Sequence, residues 1–402
     1  MSKSKRPPPG KSAESPEEQE DALTRNLVEL ALDLAGQEDR ASMTASLQQK
    51  ETDFQKLIKK CLHQKKDDIL YEALERAKYE DSDAYPFLKG RIDEASEIIL
   101  FRRDEGRDLE VNAFVIPVFA HTNGGLHSAQ CFQDQEAFDL LTQSFKDAQL
   151  ESPDARVVLV SHAYHLDEID GISYSQLNEM VREAFASMTG KKAVPTPAIG
   201  RSMSGWPENH FAPEDQAVEL RFLLGFALKT TDDPFYRVPE DEAAADRYFE
   251  VRATRFQRWT QELAPLVKRC LVTDGSEIDV NFLYQDLFHG GKERGIAEYD
   301  MLQVIADLHH GLRMHGAAPE NTRAIIGPAD VGGEMVLRVN LYAKADGALL
   351  CSSEKPLDVV RDLRIEVDDA CDALATIGVT SLALALKFDA DGQALDVRPY
   401  EG

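Results

Sequence analysis

The densest group of side chains that could do chemistry lies in the segment SHAYHLDEID. It places two imidazoles, His162 and His165, close to the carboxylates of Asp167, Glu168 and Asp170. Imidazole and carboxylate groups can exchange protons with a substrate or bind a divalent metal. Acidic residues ahead of a helix more often form turns and caps, and this spacing matches no metal-binding motif. We therefore retain His162, His165 and Glu168 as catalytic candidates of an alternative hypothesis, and we predict no metal site.

A second group of candidates follows the first predicted strand. The segment HTNGG places His121 before Gly124 and Gly125, and a later segment, HGGKERG, contains Gly290 and Gly291. Glycines in such turns can let backbone amides approach an anion. Neither segment has the full spacing of a phosphate-binding loop. The four glycines are the ligand-binding candidates of a hypothesis in which two subdomains close on a small ligand or nucleotide.

Trp206 is the candidate for contact with a partner protein, because an aromatic side chain in a long polar connection can anchor an interface. The five cysteines are scattered and form no CxxC pair, so they favour a reducing compartment and argue against a cysteine-based zinc site. No apolar run approaches the length of a membrane-spanning helix. We predict no cofactor and a cytoplasmic location.

The composition is strongly acidic, with 71 Asp and Glu against 45 Lys and Arg and a formal net charge of -26. A field of this sign repels phosphate backbones and anionic lipid headgroups. We therefore expect neither nucleic acid nor membranes as partners. The expected partners are other proteins. The segment QKLIKKCLHQKK, from Gln55 to Lys66, is a local basic exception, although such a run is more often a solvated helix face than a binding patch.

The elements that must hold these residues follow from the hydrophobic pattern. Residues 1–21 are charged and proline-rich and predict a disordered tail. Leucines at helical spacing predict a helical region over residues 22–103. Buried strands that alternate with helices predict a first α/β subdomain over residues 104–235, in which Pro117 indicates an edge position or a bulge.

The remaining residues, 236–402, predict a second α/β subdomain. It begins with a long helix that Pro265 should kink or restart, and it continues with strands joined by turns such as Asp346-Gly347. The predicted fold class is α+β: an N-terminal helical region followed by two mixed α/β subdomains with partly antiparallel sheets.

The order of these segments resembles an uncharacterised bacterial family, domain of unknown function 2863. The resemblance spans roughly residues 22 to 330 and rests on ILYEALERAKYEDSDAYPFLKGRIDEA, VNAFVIPVFAHT, RVVLVSHAYHLDEID, RFQRWTQELAPLVKRCL and RAIIGP. It implies the architecture and a bacterial cytoplasmic setting, and no activity. Many members end in a CxxC pair that could hold zinc, whereas this sequence ends in DVRPYEG, so the resemblance implies no metal site.

We interpret the sequence as a non-catalytic cytoplasmic protein that binds other proteins, because its tail, helical region and acidic surface come without a recognisable catalytic motif. The first alternative is a hydrolase or transferase that uses His121, His162, His165 and Glu168 at strand ends. The second is the sensor of a small ligand or nucleotide. A pocket that brings His121 close to His165 would favour the enzyme. The oligomeric state is not predicted.

Overall fold

The computed structural model describes residues 15–36, 44–81, 83–102, 106–122, 126–127, 135–147, 155–190, 210–211, 218–271, 278–282, 288, 290–357 and 362–400. The chain divides into two compact units, Met1–His289 and Gly290–Gly402. Among the described helices, none is long and apolar enough to cross a membrane.

The described N-terminal part of the first unit is helical as far as Glu97. The predicted helical region, residues 22–103, is wrong at its end, because Ile98–Phe101 form a strand that pairs with residues 109–112. The helices of this part are α1 Pro16–Leu34, α2 Ala45–His63, α3 Asp67–Glu80 and α4 Ala84–Glu97. Each helix buries one apolar face in a shared core, as amphipathic helices do. The side chains at its centre include Leu27, Phe54, Leu70 and Leu88, all fully buried.

The helix α1 begins inside the range that the sequence assigns to a tail. The Ser15 hydroxyl accepts a hydrogen bond from the backbone N–H of Glu18 at 3.2 Å, and the Glu18 carboxylate accepts one from the backbone N–H of Ser15 at 2.8 Å. This capping box satisfies two backbone donors at the start of the helix. The predicted end of the tail at Asp21 is therefore wrong, and residues 1–14 lie outside the described residues.

The sheet of the first unit is antiparallel in all its described pairings. Its strands are β1 Ile98–Phe101, β2 Leu109–Thr122, β4 Arg156–His165, β6 Glu219–Thr230 and β7 Ile278–Asn281, and a separate short pair is formed by β3 Leu126–His127 and β5 His210–Phe211. The order is β1-β2-β6-β4, with β7 also paired to β2. Pro117 lies between the parts of β2 that pair with β1 and β7, so it is at a local edge of the described sheet.

The two faces of this sheet are covered by different helices. Even-numbered residues of β2, such as Phe114 and Ile116, pack against α5 Gln135–Asp147 and α8 Glu242–Leu271. Trp259 of α8 lies at the centre of this core, where its indole N–H donates to Ser144 Oγ at 2.8 Å. The opposite face contacts α4 and α7 Tyr174–Thr189.

Because α8 packs in the first unit, the boundary between the two units lies later in the chain than the sequence predicts. The sequence places this boundary at residue 236, but α8 buries Trp259 and Leu263 in the first-unit core, and the structural boundary follows His289. Of the kink or restart predicted at Pro265, the restart does not occur, because the helix continues through this residue.

The second unit has a mixed sheet, which agrees with the predicted α+β class. Its elements are α9 Gly291–Met314, β8 Thr322–Val331, β9 Glu334–Ala343, β10 Leu349–Pro356, α10 Leu363–Thr376, β11 Leu382–Leu384, β12 Lys387–Phe388, β13 Ala394–Leu395 and β14 Arg398–Pro399. The order is β10-β9-β8-β11-β14, and the β8–β11 pair is parallel. Gly347, with φ of 72°, supplies the left-handed residue of the predicted β9–β10 turn.

A buried cluster of charges lies between the sheet and the helices of the second unit. Lys355 of β10 forms an ion pair with Glu366 of α10, and their side chains are 4% and 1% exposed. Asp300 of α9 lies near this pair. Burial raises its pKa to about 6 in spite of the attraction of Lys355, and Glu366 adds to the rise. Two carboxyl groups thus compete for one ammonium group.

One carboxylate joins the helical region to the sheet region. Asp67, the first residue of α3, accepts hydrogen bonds from the Ser175 backbone N–H at 2.8 Å and from the Ser173 hydroxyl at 3.1 Å. The Ser175 hydroxyl also donates to it. Ser173 caps α7 in the predicted capping box with Gln176. Asp67 therefore fixes the beginning of α3 against the beginning of α7.

We expect Asp67→Ala to lower the free energy of unfolding of the first unit by about 2 to 3 kcal/mol, because it leaves partly buried donors on Ser173 and Ser175 without their acceptor. Urea titrations followed by circular dichroism measure this change. The control is Asp68→Ala, in the same helical turn but exposed, which we expect to stay within about 0.5 kcal/mol. Equal effects of the two substitutions would contradict the joining role.

We expect Asp300→Asn to stabilise the second unit at pH 8 by about 1 kcal/mol and to have little effect near pH 4. A carboxyl whose folded pKa is raised to about 6 stabilises the fold most at low pH, and that contribution is lost as the pH rises through 6. Hydrogen exchange of the β8 and β9 amides measures the opening free energy. The exposed Asp372→Asn is the control, and a pH profile unchanged by Asp300→Asn would refute the assignment.

Candidate functional site

Three strands bring polar residues to one end of the first-unit sheet. β2 ends just after His121, β4 ends at His165, and β6 begins at Glu219. Since β6 runs antiparallel to both neighbours, these three termini lie at the same end. Of the catalytic candidates, His121 and His165 lie at strand ends, whereas His162 lies inside β4 and Glu168 follows β4.

His121 and His165 nevertheless face opposite sides of the sheet. His165 pairs with Arg221, which in turn pairs with Val118, and directly paired residues share a face. That face is the one covered by α5 and α8. His121 is three residues beyond Val118 on β2, so it faces the other side, where it is exposed. The structure does not form the His121–His165 pocket that would favour the enzyme hypothesis.

His162 and Glu168 form the closest contact among the predicted catalytic candidates. His162 lies where the register between β4 and β6 shifts, and its Nε2 is 3.2 Å from Oε2 of Glu168. The same oxygen accepts a hydrogen bond from the backbone N–H of His165 at 2.7 Å. Burial alone would raise the pKa of Glu168, but these hydrogen bonds outweigh it and hold the pKa below its ordinary value. Glu168 is therefore a buried, ionised carboxylate.

His165 caps the short helix α6, Leu166–Asp170. Its Nδ1 accepts a hydrogen bond from the Asp167 backbone N–H at 3.2 Å, and Glu168 completes the capping box. Burial and the neighbouring Arg221 lower the pKa of His165, which agrees with a neutral ring that accepts at Nδ1. The segment therefore caps α6, with the His165 ring at the N-cap and Glu168 at the third helical position.

Sequence reasoning missed a buried ion pair beside these residues. Arg221 is fully buried, and its Nε donates to Oε1 of Glu219 at 2.6 Å. Burial raises the pKa of Glu219 to about 7 against the attraction of Arg221. Among the described residues, Oε2 of Glu219 has no hydrogen-bond partner. The available signal was the pair of charges in the otherwise apolar run VELRFLLGFAL.

Of the remaining predicted site residues, the structure describes Gly290 and Gly291. Gly290 adopts the left-handed conformation, with φ of 64°, at the cap of α9, and Gly291 is buried in its first turn. Gly124, Gly125 and Trp206 lie outside the described residues. The described part of the chain contains no group of three or more His, Cys, Asp or Glu that could hold a metal ion.

A surface groove of about 550 Å³ lies between α1 and α2, in the helical region. Its lining residues are Asn26, Leu30, Ser46, Gln49, Lys50, Asp53, Lys56, Leu57 and Lys60. The lining positions on α2 recur every three or four residues, so one exposed face of that helix forms a wall. The C-terminal part of this wall comes from the basic segment Gln55 to Lys66, which the sequence marks as a local exception.

The lysines of the groove differ in their partners. Lys50 Nζ is 2.5 Å from Asp33 Oδ2, and Lys56 Nζ is 3.4 Å from Asp53 Oδ1. Lys60 makes no ion pair with any residue that the structure describes. All of these side chains are substantially exposed, so the two existing pairs contribute little stability and exchange readily.

The apolar part of the groove comes from both helices. Leu30 of α1 and Leu57 of α2 are half-buried and pack against the helical core. Next to Leu57, α2 buries Phe54, Ile58 and Cys61 in the same core, which fixes the orientation of its exposed face. The groove thus combines a basic wall with a partly apolar floor on rigid elements.

The model of a family described as protein of unknown function (DUF2863) matches residues 13–330 of the chain. This range contains the helical region, the groove and the sheet-end cluster. It also agrees with the segments on which the sequence resemblance rests. No curated protein and no solved structure matches the chain.

We expect Glu168→Gln to lower the free energy of unfolding at pH 7 by about 1 to 2 kcal/mol, because an ionised acceptor of two hydrogen bonds is replaced. A lowered folded pKa gives stability that is present above the unfolded value of about 4.3 and is lost as the pH falls through the folded value. The difference from wild type should therefore shrink below pH 4 in urea titrations. Exposed Glu75→Gln is the control, and a pH-independent difference would contradict the prediction.

Proposed function

The chain belongs to the DUF2863 family of proteins of unknown function, and we propose that it is a cytoplasmic, non-catalytic adaptor that binds another protein through the groove between α1 and α2. The observation that carries the proposal is the lysine-lined wall beside a leucine floor. Between Lys50 and Lys66 the chain has six lysines and two acidic residues, whereas the whole chain carries a net charge of -26. Three of these lysines, Lys50, Lys56 and Lys60, line the groove.

The physical basis for binding is a combination of apolar burial and preorganisation. A partner that covers Leu30 and Leu57 removes apolar area from water, which contributes about 25 cal/mol for each Å². Because α2 is held by its buried face, little conformational freedom of the groove is lost on binding. The lysines Lys56 and Lys60 then select the partner through charge.

One observation supports the enzyme alternative as a second candidate. The contact of His162 Nε2 with the buried Glu168 carboxylate orients the ring. In this candidate, His162 is the acid–base residue and Glu168 its positioning residue. The two candidates use different parts of the first unit, so substitutions in one part leave the other intact.

The proposal is tested with the full chain, purified with its partners from its own host after cross-linking. We expect a stoichiometric partner protein, cross-linked near α2, whose recovery falls at least tenfold in the variant Lys56→Glu/Lys60→Glu. A tenfold loss corresponds to about 1.4 kcal/mol of binding free energy.

The matched control is Lys59→Glu/Lys78→Glu, which makes the same change in net charge at exposed positions outside the groove. The control should retain the partner. A partner retained by the groove variant, or lost equally from the control, would overturn the assignment of the groove. Loss of the partner from His162→Asn, with the groove intact, would favour the sheet end instead.

A further inference from the structure

The walls of the groove restrict the backbone conformation of its occupant. The lining residues of α2, from Ser46 to Lys60, lie inside a continuous helix whose backbone groups are already hydrogen-bonded to each other. Such a wall offers side chains and no free row of N–H and C=O groups, which an added strand requires. An added strand therefore finds no pairing edge in this groove, whereas a helix, whose backbone hydrogen bonds are internal, needs none.

The length of the wall fits the same conclusion. At 1.5 Å per residue, the distance along α2 from Ser46 to Lys60 is about 21 Å, which is close to four helical turns. Helices that dock in grooves present apolar residues at positions i, i+3, i+4 and i+7. Leu30 and Leu57, one from each wall, provide the apolar surface that such residues contact.

The charges of the groove determine which helix fits. Lys56 and Lys60 are four residues apart and lie on one face of α2, so two carboxylates one turn apart on an antiparallel or parallel helix can reach both. Lys60 makes no described ion pair, and the exposed Asp53 partner of Lys56 is 3.4 Å away and easily displaced. A basic helix would be repelled by the ammonium groups of Lys56 and Lys60.

We infer that the occupant of the groove is an acidic amphipathic helix of a partner protein, with carboxylates against Lys56 and Lys60 and an apolar side chain between Leu30 and Leu57. This inference rests on the proposed adaptor function and adds the chemistry of the partner. The structure of the groove selects one face of that helix, with acidic and apolar positions at fixed spacing.

The test is a displayed library of 18-residue helical peptides, selected on the full-length protein and counter-selected on Lys56→Glu/Lys60→Glu. We expect enrichment of two acidic positions one turn apart, next to leucine or methionine. A selected peptide should bind wild type at least tenfold more tightly than the groove variant in fluorescence anisotropy. Replacing its two carboxylates by lysines should reverse that preference, and Lys59→Glu/Lys78→Glu should bind like wild type.

Three results would overturn the inference. The first is enrichment of neutral or basic sequences. The second is equal binding of a peptide interrupted by proline, which shows that a helix is not required. The third is self-association of the chain that the groove variant abolishes in sedimentation, which assigns the groove to a second copy. If the host partner is still lost from the groove variant in any of these cases, the adaptor function stands and the partner class is wrong.

Discussion

The pairing of β2 with β6 is the constraint on which the first unit depends. It runs without interruption from Leu109–Thr230 to Ala120–Glu219, and both of its faces are covered by helices. Gly225 shows how tightly one face is packed, because a Cβ at this position would lie 2.4 Å from the ring of Phe114. The ring occupies that space, so the ladder and its covering layer are fixed together. The register of these two strands also sets the positions of the polar residues at their ends, such as His121 and Glu219.

A small number of polar contacts hold the helical region against α7 and, through it, against the sheet. Asp67 links the beginning of α3 to the cap of α7, and α7 packs on the sheet. Asn178 of α7 also donates to the carbonyl of Ala95 in α4 at 3.0 Å. The groove and the sheet end therefore belong to one compact unit, although they use different helices and different chemistry.

The sequence predicts local features of this fold well and long-range ones poorly. The amphipathic helices and the Ser173–Gln176 capping box depend on residues only a few positions apart, so the local sequence pattern is enough to predict them. The position of α8 over the first sheet involves contacts distant in sequence, such as that of Trp259 with Ser144 of α5, more than a hundred residues away. Periodicity shows that α8 has an apolar face and does not show which sheet that face covers. The same limit applies to His121, whose face follows from the register of β2.

The reversal of charge at the groove has a consequence for the time course of association. A partner with an acidic helix approaches a molecule of net charge -26, and the repulsion between the two is largely screened at separations beyond the Debye length of about 8 Å. Attraction by Lys56 and Lys60 acts within that distance. Long-range electrostatic steering is thus weak, and encounters are slow compared with those of oppositely charged proteins. In the proposed complex, discrimination between partners then lies in the dissociation rate, so the lifetime of the complex is the property that the groove would control.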